Sequence, residues 1–428
     1  MKLKICNFPV KKMVFSEKSK YKNGFLSVST KELKQMAYQD NNIKRVKFHV
    51  VSPGEKARIM HVIDVIEPSC KVEGNTSSFP GFTGDPTITG RGITNRLCNC
   101  AITLISPITQ IDGTVSVKET ILDTFGIGKA CHPFGDIFNL VAEIDIKDGV
   151  DVVQACSSIR MFGLRMSEYL SKQTVSSPPH SVDLFELTEA KKELPNVACI
   201  LLFFKEGRLH NAFNYGLGEQ PLPLLMHPNE VLDGAIVSAH YQLACLRQPT
   251  YYYQNHSLIK ELYKLHGDKL NFAGVIFAQS LITSPAGKER SASQSAKICK
   301  MLGIDAVIVA SDTAGHGWVD QMLTCKRCHE SGIKVVNIMA EMADDSGDDL
   351  SIVMAVPEID AVISTGNFDE IVVLEAPDRL IGKDEFLDME GYEISTGEKP
   401  SNSFKTPMRR LYSSTSEHGF SWLTTEKY

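Results

Sequence analysis

The chain has 428 residues, of which 43% are hydrophobic and 22% are charged. These values are typical of a folded globular protein and exclude a mostly disordered chain, and the length suits two or three domains. The 45 Lys and Arg against 51 Asp and Glu leave a net charge of −6, which argues against nucleic acid or an anionic membrane surface as the main partner.

No segment has the pattern expected for export or membrane insertion. The first residues carry scattered lysines but no uninterrupted apolar core, so a signal peptide is not expected. The longest apolar run, residues 197–204, is far shorter than the ~20 residues that a membrane helix needs. The 11 cysteines are an odd number without a framework spacing, which favours reduced thiols. The sequence therefore predicts a cytoplasmic protein.

Residues 1–180 are predicted to form a β-rich N-terminal domain. Short runs of β-branched residues, broken by turn residues, predict strands in this half; they include residues 46–51, 61–66 and 101–105. Near the end of the domain, apolar residues recur at helical spacing and predict a helix near residues 149–171. Residues 174–180 are interpreted as an exposed connection.

Residues 195–428 are predicted to form an α/β domain of the Rossmann-like, parallel-sheet class. Short, nearly continuous apolar runs predict buried strands at residues 272–278, 306–310, 334–338 and 361–364. Helical patterns lie between them at residues 289–302 and 318–331, and Gly303 and Gly332 occupy positions suited to helix C-caps. Alternation of strand and helix in this way indicates a parallel sheet with helices on both faces.

Three loops follow these predicted strands, at the sheet edge where this class of fold binds its ligands; they are residues 279–290, 311–317 and 365–369. In the first, Lys288 and Arg290 open a helix. We predict that they bind a carboxylate or another anion, the alternative being a solvated, capped helix terminus. The second loop could cradle an anion with its backbone amides, but it lacks the spacing of a dinucleotide fingerprint or a P-loop and favours an ordinary turn.

Two cysteine pairs have spacings that occur in other kinds of site. Cys325 and Cys328 with His329 form a CxxCH sequence, which in an exported protein would indicate haem attachment. Within a predicted helix of an unexported chain we interpret it as a structural pair, with a thiol redox pair as the alternative. Cys98 and Cys100 have no second pair at zinc-like spacing, so no metal site is predicted.

A series of short motifs runs along nearly the whole chain in a fixed order. They include residues 54–55, 64–68, 71–74, 209–210, 215–216, 233–238, 266–267 and 288–291. In this order and spacing the chain resembles the precursor of the α and β subunits of component B of the glycine, sarcosine and betaine reductases.

The resemblance implies a role in the reductive, Stickland-type fermentation of amino acids by anaerobes. Component B of that family binds glycine, its N-methyl derivative or betaine, and passes the carboxymethyl group to a selenolate. The partners implied are a selenocysteine-containing component B subunit, a small selenoprotein carrier and a component that forms acetyl phosphate. A hetero-oligomer is therefore expected.

The resemblance also implies a self-cleavage site near residues 240–241, and here this chain departs from the family pattern. Relatives are cut after DGAIVSGN, before a cysteine that becomes a pyruvoyl group, whereas this chain has His240 and Tyr241. The Cβ of a tyrosine carries no thiol that can leave, so a pyruvoyl group is not expected. Cys245 and Ser238 remain as candidate nucleophiles. We predict an uncleaved chain without the cofactor.

Two functional hypotheses of different class follow. In the first, the chain is an uncleaved component B subunit acting on a small amino-acid or betaine-like substrate. In the second, it is a non-catalytic paralogue that acts as a scaffold or binds a small ligand for regulation. Asp233, Lys288, Arg290 and His210 are the predicted ligand-binding residues. A selenoprotein encoded by a neighbouring gene would favour the first hypothesis.

Overall fold

The computed structural model describes residues 1–75, 77–108, 119–206, 209–220, 222–239, 244–281, 284–343, 354–387 and 398–418. Strands up to residue 186 are β1 (Lys2–Asn7), β2 (Lys12–Phe15), β3 (Lys20–Lys22), β4 (Phe25–Val28), β5 (Ile43–Val51), β6 (Ala57–Met60), β7 (Val62–Ile66), β8 (Ser69–Glu73), β9 (Gly92–Arg96), β10 (Cys100–Ile105), β11 (Ile121–Asp123), β12 (Phe138–Ile146) and β13 (Ser181–Glu186). Later strands are β14 (Asn196–Glu206), β15 (Leu209–His210), β16 (Ala212–Asn214), β17 (Leu224–Met226), β18 (Ile236–Ser238), β19 (Asn271–Leu281), β20 (Ala306–Ser311), β21 (Lys334–Glu341), β22 (Ala361–Asn367), β23 (Ile371–Leu374), β24 (Arg379–Ile381) and β25 (Phe404–Pro407).

The α-helices are α1 (Thr30–Ala37), α2 (Gly126–Ala130), α3 (Val152–Ser171), α4 (Pro228–Leu232), α5 (Thr250–Gln254), α6 (Ser257–Leu265), α7 (Pro285–Met301) and α8 (His316–Glu330). Short 3₁₀ helices occupy Pro133–Asp136, Lys172–Thr174, Ala244–Leu246 and Met408–Arg410. The chain is thus a mixed α/β protein, as predicted. No helix in the described stretches is both long and apolar enough to cross a membrane.

The first half is built on a four-stranded sheet in the order β5-β12-β10-β7, against which α3 packs. This is the helix predicted near residues 149–171. It begins where the Asp151 carboxylate accepts hydrogen bonds from the backbone N–H groups of the first turn, an N-cap. Gly163 lets the helix lie directly on the sheet, because a Cβ there would collide with Leu104 and Ile66.

A second sheet of this half contains a strand that the sequence did not predict. β13 follows the exposed connection and pairs antiparallel with β1, which in turn runs parallel to β9. Along β13 only Phe185 is buried, since the strand lies at the edge of its sheet. Its sequence therefore lacks the apolar alternation by which half-buried strands are recognised.

The second half carries a mixed sheet whose strands run in the order β17-β19-β14-β20-β21-β22. The last five are parallel to their neighbours, and β17 is antiparallel. β19 to β22 are the strands predicted from the apolar runs, and α7 and α8 are the predicted helices. β22, however, lies at the edge of the sheet and is largely exposed, not buried as predicted. Gly303 and Gly332 follow these helices with φ of 65° and 76°, the left-handed conformation of a C-cap.

The order of the parallel strands reverses at β14, which lies between β19 and β20 although it precedes both in the chain. Apolar side chains of these strands, such as Cys199, Leu201 and Ile200, fill the layers on the two faces of the sheet. In open parallel sheets, a reversal of strand order leaves a crevice at the carboxyl ends of the strands. The fold therefore directs attention to that edge.

The last part of the chain returns to the first half. β24 pairs in parallel with β6, so one three-stranded sheet, β11-β6-β24, combines residues from both ends of the sequence. The division into domains at residues 1–180 and 195–428 stays a prediction, and this sheet is a direct connection between the two ranges.

Candidate functional site

Polar side chains gather at the carboxyl ends of the parallel strands. β19 ends with Gln279 and Ser280, and β20 leads into Ser311 and Asp312, all of them buried. Within the described residues, one side-chain oxygen of each of these four makes no hydrogen bond. Because buried polar atoms in proteins are nearly always paired, such a cluster is the pattern expected of a site for a polar ligand.

Aromatic and imidazole rings cover this edge from α5, α6 and the C-terminal segment. The ring of His418 stacks on that of His256 with centroids 5.1 Å apart, and lies 6.0 Å from the ring of Tyr253. Burial lowers the pKa of His418 to about 3 and that of His256 well below its ordinary value. Both imidazoles are therefore neutral, and in the described part of the chain their four nitrogens and the Tyr253 hydroxyl lack hydrogen-bond partners.

Two buried carboxyl groups lie in the same region. Asp312 accepts a hydrogen bond from the backbone N–H of Phe204 at 2.8 Å, and burial raises its pKa to about 7. Glu417 accepts from Trp318 Nε1 at 3.2 Å and from the backbone N–H of Ala340 at 3.1 Å, and burial raises its pKa well above the ordinary value. A carboxyl group with a pKa near 7 in a buried site, such as Asp312, can take up or release a proton during a reaction.

Ser238 at the end of β18 and the following Ala239, here called the turn, lie next to this site. The Ser238 carbonyl accepts a hydrogen bond from Arg160 Nε at 3.1 Å, and the next carbonyl, of Ala239, accepts from Arg160 Nη2 at 3.5 Å. The guanidinium lies 4.4 Å from the ring centroid of Phe213, a favourable cation–π distance. Arg160 comes from α3, so a residue of the first half fixes the chain just before residues 240–243.

A second contact, through Thr250, holds the same turn. The backbone N–H of Ser238 donates to Thr250 Oγ1 at 3.1 Å, and that hydroxyl donates to Asp64 Oδ2 at 2.6 Å. The backbone N–H of Thr250 also donates to Asp64, at 2.9 Å. Burial raises the pKa of Asp64 to about 7, and these hydrogen bonds and the charge of Arg160 oppose that rise.

Replacing Arg160 by Met should therefore be costly. The substitution leaves the two turn carbonyls without their donor in a buried place, which we expect to lower the free energy of unfolding by about 2–4 kcal/mol. Arg165 on the same helix is exposed, and Arg165→Met should change stability by less than about 0.5 kcal/mol. Urea denaturation of the two variants measures the difference, and equal losses would show that the Arg160 contacts do not stabilise the turn.

His210 and its neighbour connect the turn to the sheet edge. The His210 ring lies 5.6 Å from that of Phe213, and burial lowers its pKa. The carbonyl of Asn211 accepts from the backbone N–H of Ala239 at 2.7 Å, and its side-chain amide donates to the Asp312 carbonyl at 2.8 Å. Asn211 thus links Ala239 to the carboxyl edge of the sheet, and the ligand-binding role of His210 stays a prediction.

The residues proposed for self-cleavage lie at or next to this turn. His240 and Tyr241 fall outside the described residues. Ser238 is buried in β18, where its backbone groups hold Arg160 and Thr250 as described above. Cys245 is buried, and burial raises the pKa of its thiol to about 12. Because the thiolate is the reactive form of cysteine, this environment disfavours Cys245 as a nucleophile.

Asp233 is located elsewhere and is fully engaged. Its carboxylate forms a buried ion pair with Lys71. It also accepts hydrogen bonds from Thr89 Oγ1 at 2.5 Å, Thr94 Oγ1 at 2.5 Å and the Gly90 backbone N–H at 2.8 Å. These contacts tie the end of α4 to the first half of the chain. The ligand-binding role of Asp233 stays a prediction.

The two cationic side chains of α7, Lys288 and Arg290, do not share one environment. The ammonium group of Lys288 forms an ion pair with Asp320 of α8 and donates to the His316 carbonyl at 3.1 Å, while Arg290 is exposed on the same helix. The two side chains thus have different environments although they are two residues apart. The anion site at Lys288 and Arg290 stays a prediction.

Several residues of the site were not found from the sequence, among them Arg160, Thr250, His256, Glu417 and His418. Each of them lies outside the motifs described above, and the residue that it contacts is far away in the chain. Asp64 did give a signal, because it is the single charged residue in the fully buried strand Val62–Ile66, and a buried carboxyl group needs partners. The loop at residues 311–317 was singled out for its position after a strand, and Asp312 lies in it.

The cysteine motifs do not contribute to this site. Cys325 and Cys328 are buried in the core between α8 and the sheet, whereas His329 is exposed. Burial raises the pKa of the Cys325 thiol above its ordinary value. All cysteines are free, and within the described ranges no three metal-binding side chains come together.

Comparison with known proteins gives full-length matches. The family model of glycine/sarcosine/betaine reductase component B subunits matches residues 1–426. The glycine reductase complex component B subunits alpha and beta of Acetoanaerobium sticklandii is 33% identical over 437 residues, covering 100% of both chains. The protein of the same name from Peptoclostridium acidaminophilum is 32% identical over 435 residues, and the sarcosine reductase complex component B subunit alpha of that organism is 33% identical over 438 residues, each with 100% of both chains covered. No solved structure matches.

Proposed function

Because this chain belongs to the family of glycine/sarcosine/betaine reductase component B subunits, we propose that it acts as an uncleaved component B subunit. In this role it binds a small amino-acid or betaine-like substrate at the carboxyl edge of the parallel sheet. We infer a Rossmann-like arrangement for that sheet from its parallel strands and from the reversal of strand order at β14.

The observation that carries the proposal is the set of buried polar atoms at this edge. Tyr253, His256, His418, Ser311 and Asp312 all have side-chain atoms without partners among the described residues, near the edge at which parallel sheets bind ligands. They offer hydroxyl, imidazole and carboxyl groups among apolar side chains. Such a set of groups suits a small molecule that both donates and accepts hydrogen bonds.

The residues next to the turn do not fit the formation of a pyruvoyl group. The position of the family's cysteine holds Tyr241, and the pKa of the nearby Cys245 thiol is raised to about 12 by burial. An uncleaved chain lacks the carbonyl group that would condense with a substrate amine. Its substrate would therefore be one that needs no such condensation, as for betaine, or the covalent chemistry would be done by another subunit.

The chain's own residues can still bind the substrate and move protons. Asp312 changes protonation near pH 7 according to its raised pKa, so it can hold or release a proton at its Oδ2 atom beside a bound substrate. Arg160 and Thr250 fix the turn that lies against the site. We propose a selenocysteine-containing subunit and a small selenoprotein carrier as partners in a cytoplasmic hetero-oligomer, and an acetyl-phosphate-forming component as the next enzyme.

The alternative proposal is a non-catalytic paralogue. Tyr241 in the place of the family's cysteine favours it, because that residue removes the means of making the cofactor. Assays of a reconstituted complex distinguish the two proposals. Substrate reduction that depends on this chain supports the first, whereas complex formation without any dependence of turnover on the chain supports the second.

Tyr253→Phe tests the proposed binding site with little structural disturbance. The Tyr253 hydroxyl has no partner within the described part of the chain, so its removal should leave the thermal midpoint unchanged or slightly raised. If the hydroxyl contacts the substrate, the affinity should fall roughly tenfold. Calorimetric titration with glycine, sarcosine and betaine measures it. The control is Tyr38→Phe, since Tyr38 is 48% exposed, and equal affinities of all three proteins would place the substrate elsewhere.

A further inference from the structure

A cleft of about 550 Å³ lies outside the site described above, between the first strands and the helices α5 and α6. Arg96, Cys98, Asp183, Tyr251, Asn255 and Lys260 are among its lining residues. The short helix α5 separates the two places. Thr250 and Tyr253 contribute to the carboxyl edge, whereas Tyr251, between them in the sequence, lines the cleft. The volume is in the range of small-molecule sites.

Lys260 is held in this cleft by an amide. Its Nζ donates a hydrogen bond to Asn255 Oδ1 at 2.6 Å, and among the described residues it has no carboxylate within ion-pair distance. The orientation of Asn255 is fixed, because its Nδ2 donates to Glu67 Oε2 at 2.9 Å and to the Tyr251 carbonyl at 3.2 Å. The amide oxygen therefore stays directed at the lysine.

The surroundings of Lys260 increase the fraction of its neutral amine. Burial and, to a smaller extent, the positive charge of Arg96 lower the pKa of Lys260 to about 8, against the opposing effect of the carboxylates of Glu67 and Asp183. Lys264 on the same helix acts in the same direction as Arg96. Desolvation and a neighbouring cation are the means by which proteins activate a lysine amine as a nucleophile.

Arg96 supplies a second functional group. Its guanidinium is buried, donates to the Leu232 carbonyl and lies 3.5 Å from Glu67 Oε2. Its Nε has no hydrogen-bond partner in the described part of the chain. A guanidinium has five N–H donors in a planar arrangement that suits a carboxylate, so Arg96 has donors beyond those that these contacts use.

We propose that this cleft is a second ligand site, in which Lys260 forms an imine with a small carboxylic acid that carries a carbonyl group, such as a 2-oxo acid, and Arg96 binds the carboxylate. The Nζ lone pair attacks the carbonyl carbon, and a C–N bond forms. The carbonyl oxygen takes up two protons, which replace the two that the amine nitrogen loses, and leaves as water while the C=N bond forms. No oxidant or reductant is needed.

Trapping with pyruvate tests the proposal in the full-length protein. The chain is incubated with pyruvate and cyanoborohydride near pH 8, which converts an imine into a stable secondary amine, and the adduct is located by peptide mass spectrometry. Among the lysines we expect a single adduct, on Lys260, with more than ~tenfold preference over an ordinary lysine because of its larger neutral fraction. Acetone, which lacks the carboxylate, should label it much less, and lactate should compete.

Two lysine variants give the matched comparison. Lys260→Arg keeps the positive charge and should abolish labelling, whereas Lys264→Arg should label like the parent, since Lys264 is exposed and paired with Glu261. Absence of any adduct, labelling spread evenly over surface lysines, or unchanged labelling of Lys260→Arg would each overturn the proposal. The mapping in the parent chain locates the adduct even if a variant folds poorly, and the readout does not depend on reductase activity.

Discussion

Intact-mass spectrometry of the purified protein is expected to show one species near 47.3 kDa, and not two fragments of roughly equal size. Self-cleavage by an acyl shift needs a side-chain nucleophile directly after the cut, and the formation of a pyruvoyl group then needs that side chain to leave from Cβ. The phenol ring of Tyr241 meets neither need. A hydrazine reagent that labels new carbonyl groups should give no product.

The complementary double variant restores the family's residues. His240→Asn combined with Tyr241→Cys places a thiol after DGAIVSAN, and the turn before it is held by Arg160 and Thr250 in the parent structure. We expect this variant to begin to cleave, giving two fragments and a hydrazine-reactive N-terminus. Cleavage of the parent chain, with a new N-terminus at Cys245 or Ser238, would show that one of those residues is the nucleophile.

The second large effect is expected in the pH dependence of stability. The pKa of Asp312 is raised from 3.8 to about 7 by burial, so between these values the folded chain binds a proton that the unfolded chain has released. Stability from this group is therefore fully present below about pH 4 and is lost as the pH rises through 7. The pKa difference corresponds to about 4 kcal/mol of unfolding free energy.

Asp312→Asn removes this dependence while keeping a side chain of similar size and one oxygen for the Phe204 backbone N–H. Urea denaturation from about pH 4 to pH 8 measures the unfolding free energy of both proteins. Across that range the difference between them should shift in favour of the variant by about 4 kcal/mol. Asp148→Asn is the control, since the Asp148 side chain is 95% exposed. Parallel profiles of Asp312→Asn and the parent would mean that the Asp312 carboxyl is ionised in the folded chain.

The helices and strands could be predicted where the burial of side chains alone explains the residue pattern. α3, α7 and α8 each bury one face, so their apolar residues recur at helical spacing. The strands β19 to β21 are largely buried, which makes their sequences nearly continuous apolar runs. β13 was missed because it is paired by its backbone and exposed along most of its side chains. Backbone pairing leaves no mark on the sequence.

The sequence by itself indicated the family and the alternation of strands and helices in the second half, and it has His240 and Tyr241 where the resemblance implies a cleavage site. Only the tertiary structure decided which side chains meet. Arg160 reaches Ser238, Asp64 reaches Thr250, and His418 stacks on His256, although each pair is distant in the chain. It also decided that Asp233 pairs with Lys71. The physical reason is that a local residue pattern shows only which face of a helix or strand is buried. A site forms where the ends of different elements meet, and the residue pattern of one element does not show which ends those are.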